Sequence, residues 1–144
     1  MTSLAWRDTG HPVWKYEVTE QYRHECHYKL KPGKSSAPRH ETYWSIYHVE
    51  NVILLREAYR WNGSNVVTDT KADMLASGIH DAQCQGMKDG IYRASLRNWE
   101  RAAREYRRNC ITGGMSRIRA YARYTGLLVG GGNGYKFRRI LHRD

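Results

Sequence analysis

From Trp14 to Leu30 the chain alternates with a period of two. The even positions read Trp14, Tyr16, Val18, Glu20, Tyr22, His24, Cys26, Tyr28 and Leu30, and every odd position between them is polar or charged. Successive side chains of a strand point to opposite faces, so this pattern calls for a sheet with one dry and one wet side. The 17 residues of the run exceed an ordinary strand, which predicts a bent strand or two strands with a bulge between them. Tyr43 to Val49 and Val52 to Trp61 supply two further strands, joined near Glu50-Asn51. Lys31 to Arg39, with Pro32, Gly33 and Pro38, reads as an exposed loop. The turn chemistry of Asn62-Gly63-Ser64-Asn65 closes the strand-rich part.

The period then changes. Thr70 to Met87 reads as a helix with an interruption expected near Gly78. Leu96 to Cys110 places Leu96, Trp99, Ala103, Tyr106 and Cys110 on one helical face, with Ser95 as N-cap and Gly113-Gly114 as the stop. A last helix, capped by Ser116, gathers Ile118, Tyr121, Ala122, Thr125, Leu128 and Val129 on one face and ends at Gly130-Gly131-Gly132. The fold expected is α+β: a small antiparallel sheet followed by about three packed helices. It is read as one domain over residues 1–144, strand-rich at 12–62, helical at 66–130, with a basic tail at 131–144.

Charge is the largest compositional signal. A formal net charge of +10 attracts polyanions, whether nucleic acid, anionic lipid or an acidic protein neighbour, and does not choose among them. Eleven Tyr and five Trp against one Phe suit either a sheet facing or an interface, since both side chains carry a polar handle. Three cysteines, Cys26, Cys84 and Cys110, without paired spacing point to reduced thiols. The N-terminal residues lack the apolar core of a signal peptide, and no apolar run reaches the ~20 residues a membrane span requires.

Four features bear on chemistry. Arg97, Arg101, Arg104 and Arg108 lie within a narrow arc of the second helix and form either a solvated face or an anion-facing ridge, extended by Arg117, Arg119, Arg123 and the tail cations. No recognition-helix or zinc-finger spacing accompanies them, so backbone phosphates or acidic protein surfaces fit better than base reading. Gly130–Gly134 follows a helix and lacks the Lys-Ser/Thr ending of a phosphate loop, so it reads as a connector. His24-Glu25-Cys26-His27 makes a weak metal motif, because strand alternation sets His27 on the face opposite His24. His80-Asp81 is a candidate pair. Adjacent helical residues diverge, so His80 is expected to act as a base on water while Asp81 holds a cation.

The order of Tyr59-Arg60-Trp61-Asn62-Gly63-Ser64, Asp69-Thr70-Lys71, Ser77-Gly78-Ile79-His80-Asp81-Ala82, Met87-Lys88-Asp89-Gly90 and Gly114-Met115-Ser116-Arg117-Ile118-Arg119-Ala120 resembles a tailed-phage family of unknown function, DUF-1353, over roughly residues 50–132. Its His-Asp centre is similar to that of secreted calcium-dependent phospholipases. The resemblance implies His80 as catalytic base, Asp81 as a calcium ligand, and Asn62 and Gly63 as contributors to a calcium loop. Asn62 stands where the family has Asp, Gln83-Cys84 where it has Leu-Tyr, and Ala103 where an orienting Asp is expected, with Glu100 one turn earlier. A base without its orienting carboxylate is a degenerate site. The expectation is therefore a phage-encoded structural or binding protein, virion- or tail-associated or in the host cytoplasm, contacting other virion proteins. The alternatives are a calcium-dependent phospholipase-like lipid or ester hydrolase at an anionic membrane, and a nonspecific nucleic-acid binder. No cofactor is expected apart from calcium in the hydrolase reading.

Overall fold

The computed structural model of the protein describes residues 4–34, 40–41, 46–49, 51–63 and 71–130. Strand residues 43–45, turn residues 64–65 and the basic tail 131–144 lie outside the described residues. The described elements are strands β1 (Trp6–Asp8), β2 (Tyr16–Val18), β3 (Tyr22–Glu25), β4 (His40–Glu41), β5 (Ile46–Val49), β6 (Val52–Leu55) and β7 (Arg60–Trp61), then helices α1 (Met74–Lys88), α2 (Leu96–Thr112) and α3 (Arg117–Gly130). This is the α+β arrangement expected, with antiparallel strands first and helices after.

The long alternating run divides between two sheets. β2 lies in a three-stranded sheet of order β1-β2-β7, while β3 begins a four-stranded sheet of order β3-β6-β5-β4. The break falls at Thr19–Gln21, around the charged Glu20 that interrupts the apolar series. It is stabilised by bonds that leave the ladder: the Thr19 amide donates to Ala5 O at 3.0 Å and the Val18 amide to Tyr59 O at 2.8 Å. Along β3 the alternation holds, with Tyr22 and His24 buried and Arg23 and Glu25 exposed. On β2 it fails, because Glu17 is buried between Arg7 and Arg60, at 2.6 Å and 3.2 Å. Those guanidiniums, Arg7 foremost, hold the Glu17 carboxyl below its ordinary range against the opposing effect of burial.

β5 and β6 pair antiparallel with Val49 opposite Val52, the junction between the two strands that the sequence indicated. The expected single strand from Val52 to Trp61 instead stops at Leu55. Ala58 adopts φ 75°, a left-handed conformation that turns the chain so that β7 pairs with β2.

Ile53, Leu55 and Trp61 from the sheets are fully buried with Ile79 and Ala82 of α1. Burial of each large apolar side chain contributes on the order of 2–3 kcal/mol. α1 runs unbroken through Gly78, whose missing side chain faces the Trp61 ring. It packs on β6 and α2, and α2 packs on α3. Ser95 caps α2 by accepting from the Asn98 amide, and Ser116 accepts from the Arg119 amide at 3.3 Å, as expected for both helix starts. All three cysteines are free and buried.

Two helix faces depart from expectation. Leu96, assigned to the apolar face of α2, is 45% exposed, whereas Glu105 is buried. On α3 most of the expected core face points outward, although Leu128 packs against the buried cluster around Leu30, Met87 and Trp99. Ile118 is 85%, Tyr121 55% and Val129 68% exposed, while Ala120 and Tyr124 face α2. The half-buried Arg123 fixes this choice: its side chain, only 8% exposed, reaches the wholly buried Asp73, which precedes α1, with the Tyr106 hydroxyl at 3.4 Å. Arg123 is therefore a structural cation and does not extend the arginine ridge.

Candidate functional site

His80 sits under α2. Its ring packs against Trp99 and Tyr106, with centroids 5.3 Å and 5.7 Å away. Nδ1 lies 3.4 Å from the Ala102 carbonyl and Nε2 3.6 Å from Cys84 Sγ. Both ring nitrogens thus face protein atoms, the surroundings of a packed core histidine. Burial pulls the imidazole down to about 4, with the Ala102 carbonyl opposing. Asp81 leaves the helix in another direction and acts on Tyr59 and Cys84, whose protons it helps to retain. Asn62 is half-buried after β7, and Gly63 is buried at φ 74°. Ala103 is buried, and Glu100 is committed on the outer face of α2 to Arg104 at 2.7 Å. No carboxylate therefore orients His80 from either position.

The arginine ridge is real as geometry. Arg97, Arg104 and Arg108 are exposed and Arg101 is half-buried, all on the side of α2 opposite its core. Beside the ridge, Arg107 lies over the buried Tyr124 at 4.7 Å and near the exposed Tyr121 at 6.0 Å, which brings α2 to the edge of the outer face of α3. Exposed Arg117 and Arg119 flank Ile118 on that helix. Between Ser95 and Gly130 there are eight arginines and two glutamates, without lysine or aspartate. Glu105 is buried and Arg123 is taken up by Asp73, so seven arginines and one glutamate remain for the outer surface.

A third constellation escaped the sequence reading. Asn98, Glu105 and Asn109 form a buried polar row along α2. Asn98 binds both the amide and carbonyl of Lys31, at 2.8 and 2.9 Å, and the Arg93 carbonyl at 2.7 Å. Glu105 meets the end of β3. Its Oε1 accepts from the His27 amide at 2.6 Å and the Tyr28 amide at 3.2 Å. Its Oε2 lies 3.0 Å from His24 Nε2 and 3.2 Å from His27 Nδ1. The alternation that separated the two histidines applies only while the ladder lasts, and β3 ends at Glu25. One ligand atom from each of His24, His27 and Glu105 falls within 4.8 Å of the others, the grouping of this kind among the described residues. The spacing of 98, 105 and 109 on one helical row was the available signal, but it reads equally as a surface stripe.

Comparison with family models, curated proteins and solved structures finds no match for this chain. Among the described residues no helix is long and apolar enough to cross a membrane.

Proposed function

We propose that this protein is an assembly component that docks an acidic surface of a neighbouring protein onto the joined outer faces of α2 and α3. The observation that carries the reading is the mixture on that surface. Ile118, Tyr121 and Val129 stand exposed within a frame of Arg97, Arg101, Arg104, Arg108, Arg117 and Arg119. A phosphate backbone gains from the arginines alone and nothing from an exposed isoleucine and valine. A protein interface uses both, an apolar and aromatic centre with arginine around it. The resemblance to the tailed-phage family supplies the setting, in which the neighbour is another virion or tail protein. The hydrolase alternative draws less support, since both His80 nitrogens face protein atoms.

The test is co-purification with phage particles, followed by binding of the isolated partner to wild type, Ile118→Asp and a variant with Arg97, Arg101 and Arg108 all changed to Glu. Each variant is expected to weaken binding at least ~10-fold, the loss typical of an interface anchor. Absence from particles refutes the reading. So does duplex DNA binding that falls steeply with salt and ignores Ile118→Asp, which is the signature of counterion release.

A further inference from the structure

The end of β3 and the middle of α2 are held together by an arrangement unlike an ordinary core contact. A carboxylate, that of Glu105, is completely buried. Two backbone amides fix one of its oxygens. Two imidazole nitrogens converge on the other, and the Asn109 amide nitrogen lies 3.4 Å from the His24 member of the pair. Burial disfavours the charged carboxylate, and the histidine contacts favour it. A cation at the point of convergence satisfies all three groups at once.

We propose that His24 Nε2, His27 Nδ1 and Glu105 Oε2 bind a divalent transition-metal cation of the zinc type, clamping the first half of the chain to the second. Two imidazoles and one carboxylate oxygen are the donor set of a zinc site with one position left for water. They are a poor set for calcium, which takes six to eight oxygens. Ligands ~2.0–2.1 Å from a tetrahedral centre stand about 3.4 Å apart. The Oε2 separations of 3.0 and 3.2 Å need only a few tenths of an ångström of opening, and the two ring nitrogens, within 4.8 Å of each other, are brought to this spacing by rotation of the half-exposed His27 side chain. The His27 side chain, 40% exposed, gives the ion a path from solvent and leaves the fourth position to water. The Oε1 bonds to the His27 and Tyr28 amides hold the carboxylate with Oε2 presented, the outer support that metal-binding carboxylates have. Each imidazole offers its lone pair by carrying its proton on the other ring nitrogen, so binding exchanges two N–H···O contacts for two metal bonds.

The full chain, freed of metal with a chelator, is titrated with zinc by calorimetry and with cobalt(II) by visible absorption. One ion per chain is expected, with the intense visible band of tetrahedral cobalt(II), and zinc should raise the melting temperature. His27→Gln is the decisive variant because its side chain is partly exposed and its loss should leave the fold intact. Its zinc affinity should fall at least ~100-fold, beyond the effect of losing an outer-sphere partner, and its cobalt band should vanish. His24→Gln should behave alike, while His11→Gln, at an exposed site near β1, should match wild type. Equal zinc affinity in wild type and His27→Gln overturns the proposal, as does a wild type that takes up no zinc.

Discussion

Acidification from pH 7 to pH 4 should destabilise this protein through one residue, His80. In the native state its imidazole is enclosed by Trp99, Tyr106, Cys84 and the Ala102 carbonyl, and burial lowers it from 6.5 to about 4. Unfolding returns it to water and to its ordinary value. Below pH 6.5 the unfolded chain takes up a proton that the native chain refuses, so stability falls as the pH drops and levels off near pH 4. A gap of about 2.5 units at ~1.4 kcal/mol per unit gives on the order of 3 kcal/mol lost across the window. Glu17 and Glu105, both held below the ordinary glutamate range, add losses chiefly below this range. The assay is urea denaturation of wild type and His80→Gln at intervals from pH 7.5 to 4. The variant carries a constant offset, and the difference in slope isolates the imidazole. Parallel profiles would refute the reasoning. They would mean that His80 titrates as it does in water, as an accessible catalytic base would.

The two classes of arginine on the helices should separate cleanly. Arg123→Ala removes the ion pair to the buried Asp73 carboxylate and should cost about 3 kcal/mol, whereas Arg97→Ala should stay within ~0.5 kcal/mol; thermal melts of the two variants check this, and equal losses would dissolve the distinction. Ala58→Gly removes the side chain from a left-handed residue at φ 75° and should stabilise by up to about 1 kcal/mol, read from the urea midpoint; destabilisation would place the turn elsewhere.

What the sequence made legible was local. Ser95 and Ser116 announce their helices because a cap acts on the next turn of chain, and Gly113-Gly114 stops α2 for the same reason. The pairing of β5 with β6 was readable because the two strands are neighbours in the chain. What failed was orientation. α3 carries apolar residues on both sides, and the side that faces inward is decided by Arg123 meeting Asp73, a partner 50 residues away. Glu105 read as one more charge on an arginine-rich helix, since its partners at His24, His27 and Tyr28 belong to β3 and the segment just after it, about 80 residues earlier. His80 illustrates the converse. A histidine-aspartate dipeptide carries the same letters whether its ring faces a cleft or a tryptophan.

The division of the first long strand has a consequence for how the molecule is made. β2 is translated early, yet its ladder partners lie on either side of it, Trp6 opposite Val18 and Trp61 opposite Tyr16. β3 likewise awaits Val52–Leu55. During synthesis the β1–β2 hairpin can close at once, but its sheet stays incomplete until Arg60 and Trp61 emerge. Through that interval the alternating tyrosines and tryptophans have no helix to cover them, and nascent chains are then most open to wrong strand partners. The helix that ends this exposure, α1, begins only at Met74, after β7 has been made.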